Sequence, residues 1–233
     1  MSVHVESALA LLREAAGLPP AAFSTSFGAE DMVVLDLIRR HHIGIDIFTL
    51  DTGRLPEETY ALMHQVDQVY GRCYETFHPD SAALQALVRE RGINGFYQSI
   101  ENRKACCGVR KVEPLTRALS GRRTWVTGLR AQQGVSRAQL NARSRDQAFG
   151  VEKFNPLHDW TEPQVWEYIR EGSVPYNALH DRHYPSIGCA PCTRAIAVGE
   201  DVRAGRWWWE NAENKECGLH VQRPAAIPIR VSA

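Results

Sequence analysis

Short apolar runs alternate along this chain with segments whose apolar positions recur at helical spacing. The apolar runs, rich in β-branched residues, predict strands at 21–27, 45–50, 72–77, 124–129 and 151–157. Helical spacing predicts helices at 31–42, 57–71, 81–92, 112–121 and 161–172, after a short amphipathic helix within residues 1–20. Thr161 and Pro163 are typical of a helix start, as an N-cap and a first-turn proline.

This alternation of strands and helices indicates the α/β class. Right-handed crossovers between strands give an open, mostly parallel twisted sheet with helices on both faces. We therefore expect an α/β domain at residues 1–172. A less regular C-terminal tail at 173–233, where Pro, Gly, Cys, Trp and charged residues mix, should pack on the same domain. Ligands of such sheets bind at the carboxyl ends of strands, so the loops after the first, second and fourth strands are the candidate binding loops.

Composition narrows the class of protein. The 233 residues contain 27 Lys and Arg against 27 Asp and Glu, so no overall field predicts binding to nucleic acid or a membrane. The N-terminus lacks the features of a secretory signal, and no apolar run approaches the roughly 18 residues of a membrane span. We therefore predict a cytoplasmic protein whose six cysteines stay reduced. Metal binding or reactivity then explains them better than disulfides.

Three loops carry candidate binding residues. In STSFGAED (24–31), Gly28 and small hydroxyl residues could present backbone N–H groups to an anion, although a plain loop with a capping acid is equally supported. In LDTGRLPEETY (50–60), Asp51 could hold a polar substrate group, and good turn chemistry is the alternative. In TGLRAQQGVSR (127–137), Gly128 allows close approach and Arg130 and Arg137 could reach an anion, unless the loop is merely solvated.

Four cysteines form two pairs about 80 residues apart. Cys106 and Cys107 are adjacent, whereas Cys189 and Cys192 have CxxC spacing. Four soft thiolates suit zinc or an iron–sulfur cluster. Adjacent thiolates fit one tetrahedral ion poorly but can bind different irons of a cubane, which favours a [4Fe–4S] cluster over zinc. A redox disulfide or buried free thiols remain the alternatives.

The tail contains one further thiol, Cys217, close to Lys215 and His220. A cysteine near cationic groups can become a thiolate nucleophile, although an isolated cysteine in a tail is more often inert. Arg203 and Arg206 have a spacing that could clamp an anion. The three adjacent tryptophans at 207–209 are interpreted as packing residues.

Together these stretches resemble the assimilatory adenylyl-sulfate and phosphoadenylyl-sulfate reductases. The resemblance rests on SFGAED, LDTGRLPEETY, KACCGVRKVEPL, TGLRAQQ, GCAPCTRA, GRWWWE and ECGLH, which occur in this order over most of the chain. It implies an adenine-nucleotide α-hydrolase-like fold, in which SFGAED is a modified pyrophosphatase-type loop. In the branch with both cysteine pairs, Cys106, Cys107, Cys189 and Cys192 correspond to the ligands of one [4Fe–4S] cluster per chain.

The resemblance also implies a reaction. Members with the cysteine pairs typically reduce adenosine 5′-phosphosulfate (APS) to sulfite and AMP, in sulfate assimilation toward cysteine. Cys217 would attack the sulfur of APS to form S-sulfocysteine, and thioredoxin or a similar dithiol would release sulfite. Lys111, Arg203 and Arg206 match positions that compensate the negative charge, and His220 belongs to the same catalytic set. The family often forms homo-oligomers.

The substrate-binding residues that follow from the resemblance lie mainly in the three loops: Ser26, Gly28, Leu50, Asp51, Gly53, Gly128 and Arg137. Alternative functions remain. The chain could use the 3′-phosphorylated substrate (PAPS) or both substrates. It could also be an ATP pyrophosphatase that adenylates a substrate, although SFGAED departs from the glycine-rich loop of that class. A non-catalytic zinc-binding module, with Cys217 incidental, is the remaining alternative.

Overall fold

The computed structural model describes residues 2–133 and 140–210. Its sheet has six strands in the order β3-β2-β1-β4-β6-β5, and all neighbours are parallel except β5 and β6. The strands are β1 Ala21–Thr25, β2 Asp46–Leu50, β3 Glu75–Phe77, β4 Thr124–Val126, β5 Arg143–Asp146 and β6 Val151–Phe154. The helices are α1 Val3–Ala16, α2 Ala29–Arg40, α3 Glu57–Tyr70, α4 Ser81–Arg91, α5 Ile100–Cys107, α6 Glu113–Leu119 and α7 Glu162–Gly172. The predicted α/β class with a mostly parallel sheet is confirmed.

Helices cover both faces of the sheet. The larger core joins Phe23 of β1 to apolar side chains of α1, α2, α3 and α7. The smaller core lies on the other face, where Ala22 and Trp125 pack on Leu115 and Leu119 of α6. Neighbouring residues of β1 therefore enter opposite cores, as the alternation of side chains along a strand requires.

Local signals in the sequence set the helix ends. The Thr161 side chain accepts from the Gln164 backbone N–H, and the Gln164 side chain accepts from the Thr161 N–H, which forms a capping box at α7. The Asp80 carboxylate accepts from the Ala83 N–H at the start of α4. Gly71 follows α3 with φ of 74°, a conformation that favours glycine over residues with a Cβ. The predicted helix positions are confirmed at these ends.

Two parts of the fold differ from the predictions. The edge strand β5, sequence RSRD, was not predicted because its polar residues lack an apolar alternation. It is held by pairing with β6, where Arg143 and Arg145 both contact Glu152. The cysteine segment was left unassigned, yet α5, a π-helical stretch at Gly108–Val112 and α6 run on as one helix. The strands β3, β4 and β6 are also shorter than predicted.

A buried carboxylate fixes α2 against its neighbours. The side chain of Asp36 is fully buried and accepts hydrogen bonds from the hydroxyls of Tyr70 and Tyr168, each at 2.7 Å. Arg40 donates to Asp36 at 2.8 Å and to the Gly172 carbonyl at 2.6 Å. Burial and then the Asp36 hydrogen bond raise the pKa of both tyrosines. Because this network ties α3 and α7 to α2, the N-terminus of α2 is held in place at the edge of the sheet.

The tail packs on the same sheet as far as it is described. Val174 lies in the larger core, and the Asn177 side chain donates to Thr59 Oγ1 at 3.0 Å. The division at residues 172 and 173 stays a prediction. Across residues 2–133 and 140–210, no helix is long and apolar enough to cross a membrane.

Candidate active site

A cavity of about 890 Å³ opens at the carboxyl ends of β1, β2 and β4. Its volume is in the range of sites that enclose a small molecule. Predicted residues from all three loops line it, namely Ser26, Gly28, Leu50 and Gly128. Tail residues 185–189, 196–200, 202 and 203 also line the cavity. The structure thus brings together the loops that were selected from strand order alone.

The start of α2 is closed by a carboxylate. Asp31 Oδ2 accepts from the Ser26 N–H at 2.6 Å and from the Ser26 hydroxyl at 2.7 Å. A Cβ at Gly128 would overlap the Asp31 carboxylate, so only glycine lets the β4 loop come this close. Burial raises the pKa of Asp31 to about 6, against the lowering effect of the Ser26 hydrogen bonds. Asp31, the last residue of the STSFGAED stretch, therefore joins the loops after β1 and β4.

Some residues of the loop after β2 line the cavity, and others make contacts within the loop. Leu50 and Thr52 line the cavity, whereas Asp51 and Gly53 are not among the lining residues. Asp51 Oδ1 accepts from the Gly53 N–H and from the Tyr60 hydroxyl, both at 2.8 Å. Gly53 has φ of 67°, so a glycine suits this turn. In the structure Asp51 and Gly53 shape the loop, and their predicted contact with substrate stays a prediction.

The loop after β4 contributes one buried arginine, which faces a carboxylate. Arg130 donates from Nε and Nη2 to Glu30 Oε1 at 2.8 Å and from Nη1 to the Trp160 carbonyl at 3.2 Å. Glu30 therefore neutralises the charge of Arg130 beside the cavity. Arg137, the other arginine predicted in this loop, lies outside the described residues.

The three cationic side chains that were predicted to compensate negative charge, Lys111, Arg203 and Arg206, all line the cavity. Lys111 lies on the π-helical stretch after α5. Arg206 is buried and donates from Nη1 to the Ile187 carbonyl at 3.3 Å. Its guanidinium passes directly over Gly188, where any Cβ would overlap it. The lack of a side chain at Gly188 thus leaves room for the Arg206 guanidinium in the cavity wall.

A second, small and mostly apolar cavity of about 20 Å³ lies between the four paired cysteines. The residues around it are Arg54, Phe96, Arg103, Cys106, Cys107, Arg110, Lys111, Cys189, Pro191, Cys192 and Trp207. The structure therefore brings both cysteine pairs together, as predicted for a shared group. In the part of the chain that the structure describes, no three His, Cys, Asp or Glu side chains converge as ligands of one metal ion.

The four thiols differ in their electrostatic surroundings. Burial opposes ionisation of Cys189, but Lys111 and the Thr52 hydroxyl, 3.2 Å from its sulfur, bring its pKa below the ordinary value. Burial, followed by repulsion from Cys189, raises the pKa of Cys192 to about 12. Burial also raises the pKa of Cys106. Four thiolates in this cavity would therefore need a cationic group among them.

The two cavities share a wall. Lys111, Cys189 and Trp207 line both of them. The β2 loop reinforces the connection, because the Arg54 carbonyl accepts from the Ala190 N–H at 2.8 Å and the Thr52 carbonyl accepts from Arg110 at 2.5 Å. A ligand in the large cavity would thus lie next to the side chains around the thiols.

Sequence reasoning missed Thr52 and Arg110 at this shared wall. Each lies within a motif that was singled out, LDTG for Thr52 and CCGVRK for Arg110, so their proximity to chosen residues was the available signal. Cys217 and His220, the predicted nucleophile and its neighbour, lie outside the described residues.

Comparison with known proteins identifies the family of the chain. Residues 20–195 match the model of the phosphoadenosine phosphosulfate reductase domain. The chain belongs to this family. Two relatives carry the name adenosine 5′-phosphosulfate reductase. The one from Allochromatium vinosum is 58% identical over 91% of this chain and 84% of its own length. The one from Burkholderia cepacia is 51% identical, with coverage of 91% and 84%.

Solved structures of other proteins share the fold of this chain. A phosphoadenylyl-sulfate reductase from Candida auris, in a phosphate complex, is 28% identical with a TM-score of 0.70 and covers 81% of this chain and 90% of its own. An FMN adenylyltransferase from Candida glabrata has a TM-score of 0.57 at 14% identity, over 97% of this chain and 78% of its own. The latter likeness concerns the fold alone, and it confirms the expected adenine-nucleotide α-hydrolase-like architecture.

The half-buried Asp31 carboxyl predicts a pH dependence of stability. Its pKa is raised in the folded protein, so between about pH 4 and pH 6 the native state binds more protons than the unfolded state. This group therefore makes the free energy of unfolding fall as pH rises through that window, by on the order of 2 kcal/mol. Urea unfolding from pH 4 to 7 should show that Asp31→Asn removes this part of the slope.

Ser26→Ala supplies the opposite control. It deletes a hydrogen bond that favours the ionised carboxyl, so the fall with pH should become steeper and extend to higher pH. Equal slopes in the wild type and Asp31→Asn would contradict the burial of this carboxyl.

Proposed function

We propose that this protein reduces APS to sulfite and AMP, using a dithiol protein such as thioredoxin. The observation that carries the proposal is the shared wall, at which Lys111 and Cys189 belong both to the large cavity and to the thiol cavity. The relatives named adenosine 5′-phosphosulfate reductase, at 58% and 51% identity, support APS as the substrate. We place the reaction in cytoplasmic sulfate assimilation toward cysteine.

The three loops after the strands hold the nucleotide in this proposal. Ser26 and Gly28 lie at the N-terminus of α2, where backbone N–H groups favour an anion. Leu50 and Gly128 offer backbone groups from the other two loops. Asp51 and Gly53 keep the β2 loop in its turn, and Arg137 is the remaining candidate for contact with the substrate.

Charge compensation is the main catalytic task. A phosphosulfate and an attacking thiolate are both anionic, so their approach is unfavourable unless cations flank it. Lys111, Arg203 and Arg206 line the cavity and supply those cations. Lys111 reaches the phosphosulfate from the thiol side, and the two arginines reach it from the tail.

The covalent steps use Cys217. Its thiolate forms a bond to the sulfur of APS while the bond from that sulfur to the phosphate oxygen breaks, and AMP leaves with the electron pair. The product on the enzyme is S-sulfocysteine. A thiolate of the dithiol protein then attacks the Cys217 sulfur, sulfite leaves, and the second thiol resolves the mixed disulfide. His220, three positions after Cys217, is assigned to the same step.

The donor set around the small cavity fits one [4Fe–4S] cluster per chain. Cys106, Cys107, Cys189 and Cys192 would hold it, and their crowding calls for a cationic group. The adjacent thiolates of Cys106 and Cys107 fit one tetrahedral ion poorly, which disfavours a zinc site. When bound, the cluster would supply positive charge to the thiolates and fix α5 to the CxxC segment.

The alternative is a PAPS or dual-substrate reductase. The Candida auris phosphoadenylyl-sulfate reductase shares the fold, but its identity of 28% is far below that of the APS reductases. The proposal includes homo-oligomer formation only because members of the family often form homo-oligomers.

Sulfite release tests the reaction. Anaerobically purified protein with reduced thioredoxin should release sulfite from APS at least 100-fold faster than from PAPS. Cys217→Ser should abolish release, because it removes the nucleophile. Comparable rates with both substrates would establish the dual-substrate alternative, and no sulfite from either, with iron and sulfide bound, would refute the proposal.

Lys111→Ala tests the charge at the shared wall. The rate of sulfite formation should fall at least 100-fold, because a cation next to the developing charge is worth about 3 kcal/mol or more. Iron content should stay at the wild-type level, since Lys111 is not a cluster ligand. The matched control is Lys104→Ala, an exposed lysine on α5, which should keep wild-type turnover. Unchanged turnover in Lys111→Ala would contradict its role.

Metal analysis tests the cluster. Wild-type protein prepared without oxygen should contain about four irons and four sulfides per chain. Cys192→Ala should lose most of the iron, whereas Cys73→Ala, a half-buried cysteine away from the cavity, should retain it. Zinc without sulfide in the wild type would instead support the non-catalytic zinc-binding module.

A further inference from the structure

A buried ion pair joins the cysteine helix to the end of the described tail. Arg103, on α5, donates from Nε to Glu210 Oε1 at 2.9 Å and from Nη2 to Glu210 Oε2 at 2.7 Å. The two side chains are only 1% and 3% exposed. Such a bidentate pair fixes both position and orientation, because two parallel hydrogen bonds must be satisfied together.

The pair is coupled to a catalytic cation through one aromatic ring. The guanidinium of Arg103 lies 4.9 Å from the ring centroid of Trp207, and that of Arg206 lies 4.7 Å from it. The Trp207 side chain is itself buried, and the Trp207 backbone N–H donates to the Cys192 carbonyl at 3.2 Å. Arg206 therefore depends on a ring that Arg103 helps to hold.

Arg103 also contacts the thiol cavity. It lies one helical turn before Cys107 and hydrogen-bonds that sulfur. On the other side, the Glu210 N–H donates to the Trp207 carbonyl at 2.9 Å and closes a turn over residues 207–210. One guanidinium thus connects a cysteine, the ring beside Arg206 and the last described residue.

The position of Glu210 in the chain makes this connection relevant to chemistry. Cys217 follows seven residues later. A chain of seven residues spans at most about 25 Å when fully extended. The position of Glu210 therefore limits the position of Cys217 to within about 25 Å of it.

We infer that Arg103 and Glu210 are positioning residues for the reduction. Their ion pair fixes Arg206 in the cavity wall and fixes the point from which the chain continues toward Cys217. The inference rests on the proposed function for its catalytic part, whereas the anchoring itself is a property of the fold. Neither residue is assigned a contact with substrate.

Limited trypsin digestion tests the anchoring without any substrate. In Glu210→Gln, cleavage after Arg206 should be at least tenfold faster than in the wild type, because the turn that directly follows Arg206 opens more often. The control is Glu14→Gln, which weakens an exposed pair with Arg143 and should leave this cleavage rate unchanged. Equal cleavage rates in Glu210→Gln and the wild type would overturn the inference.

A single-turnover measurement tests the catalytic part. With APS and no dithiol, mass spectrometry follows formation of the S-sulfo adduct on Cys217. At saturating APS the adduct rate in Glu210→Gln should fall at least tenfold, while AMP affinity changes less than threefold and iron content stays constant. A normal adduct rate at normal iron content would refute the positioning role.

A second variant separates positioning from folding. Glu210→Asp keeps the charge but shortens the side chain by one methylene, so iron should be retained and the adduct rate should still fall at least threefold. If both variants lost iron and adduct rate in equal proportion, the ion pair would have a structural role only, and the positioning role would be refuted. If the wild type forms no adduct, the proposed function fails, and the trypsin result alone decides the anchoring.

Discussion

Compensation of negative charge is the constraint on which the rest of this structure depends. Four thiols meet in one small, mostly buried cavity, where burial and repulsion from Cys189 raise the pKa of Cys106 and of Cys192. A phosphosulfate beside them would add further negative charge. Cations from separate segments line the large cavity beside the thiols. Lys111 comes from the helix after Cys107, and Arg206 comes from the tail. Much of the tertiary structure around the site can be understood as a means of holding these cations where anions meet.

The parallel sheet supplies the other half of the site. Its carboxyl edge gathers three loops, from which Ser26, Gly28, Leu50 and Gly128 line the cavity. Asp31 shows how closely this edge is assembled, because its carboxylate fills the space between Ser26 and Gly128. The Asp36 network on the same helix keeps α2 from moving relative to α3 and α7. Side-chain hydrogen bonds thus tie the binding edge together, whereas the cations come from elements packed against it.

The sequence was sufficient for the elements with strong local signals. Thr161 with Gln164 and the apolar spacing of α2 and α3 act within a few residues, so they are visible without the fold. The strand β5 was not visible, because RSRD is stabilised by its pairing with β6 rather than by its own pattern. The helix through Cys106 and Cys107 was hidden for a similar reason, since its buried face consists of cysteine and arginine. Loop positions followed from strand order, but the roles of Asp51 and Asp31 depended on contacts with Tyr60 and Gly128.

Contacts between distant segments explain what remained beyond prediction in the site. Arg103 and Glu210 are 107 residues apart, and each alone is typical of a solvated helix or tail. Burying both charges is costly unless they meet with complete hydrogen bonding. A pair buried to this extent is therefore weak evidence for added stability and better evidence for a required position. The same reasoning applies to Gly188, whose missing side chain leaves room for the Arg206 guanidinium. Arg103, Glu210 and Arg206 thus share one property, since burial of each charge would be unfavourable without the contacts that it makes.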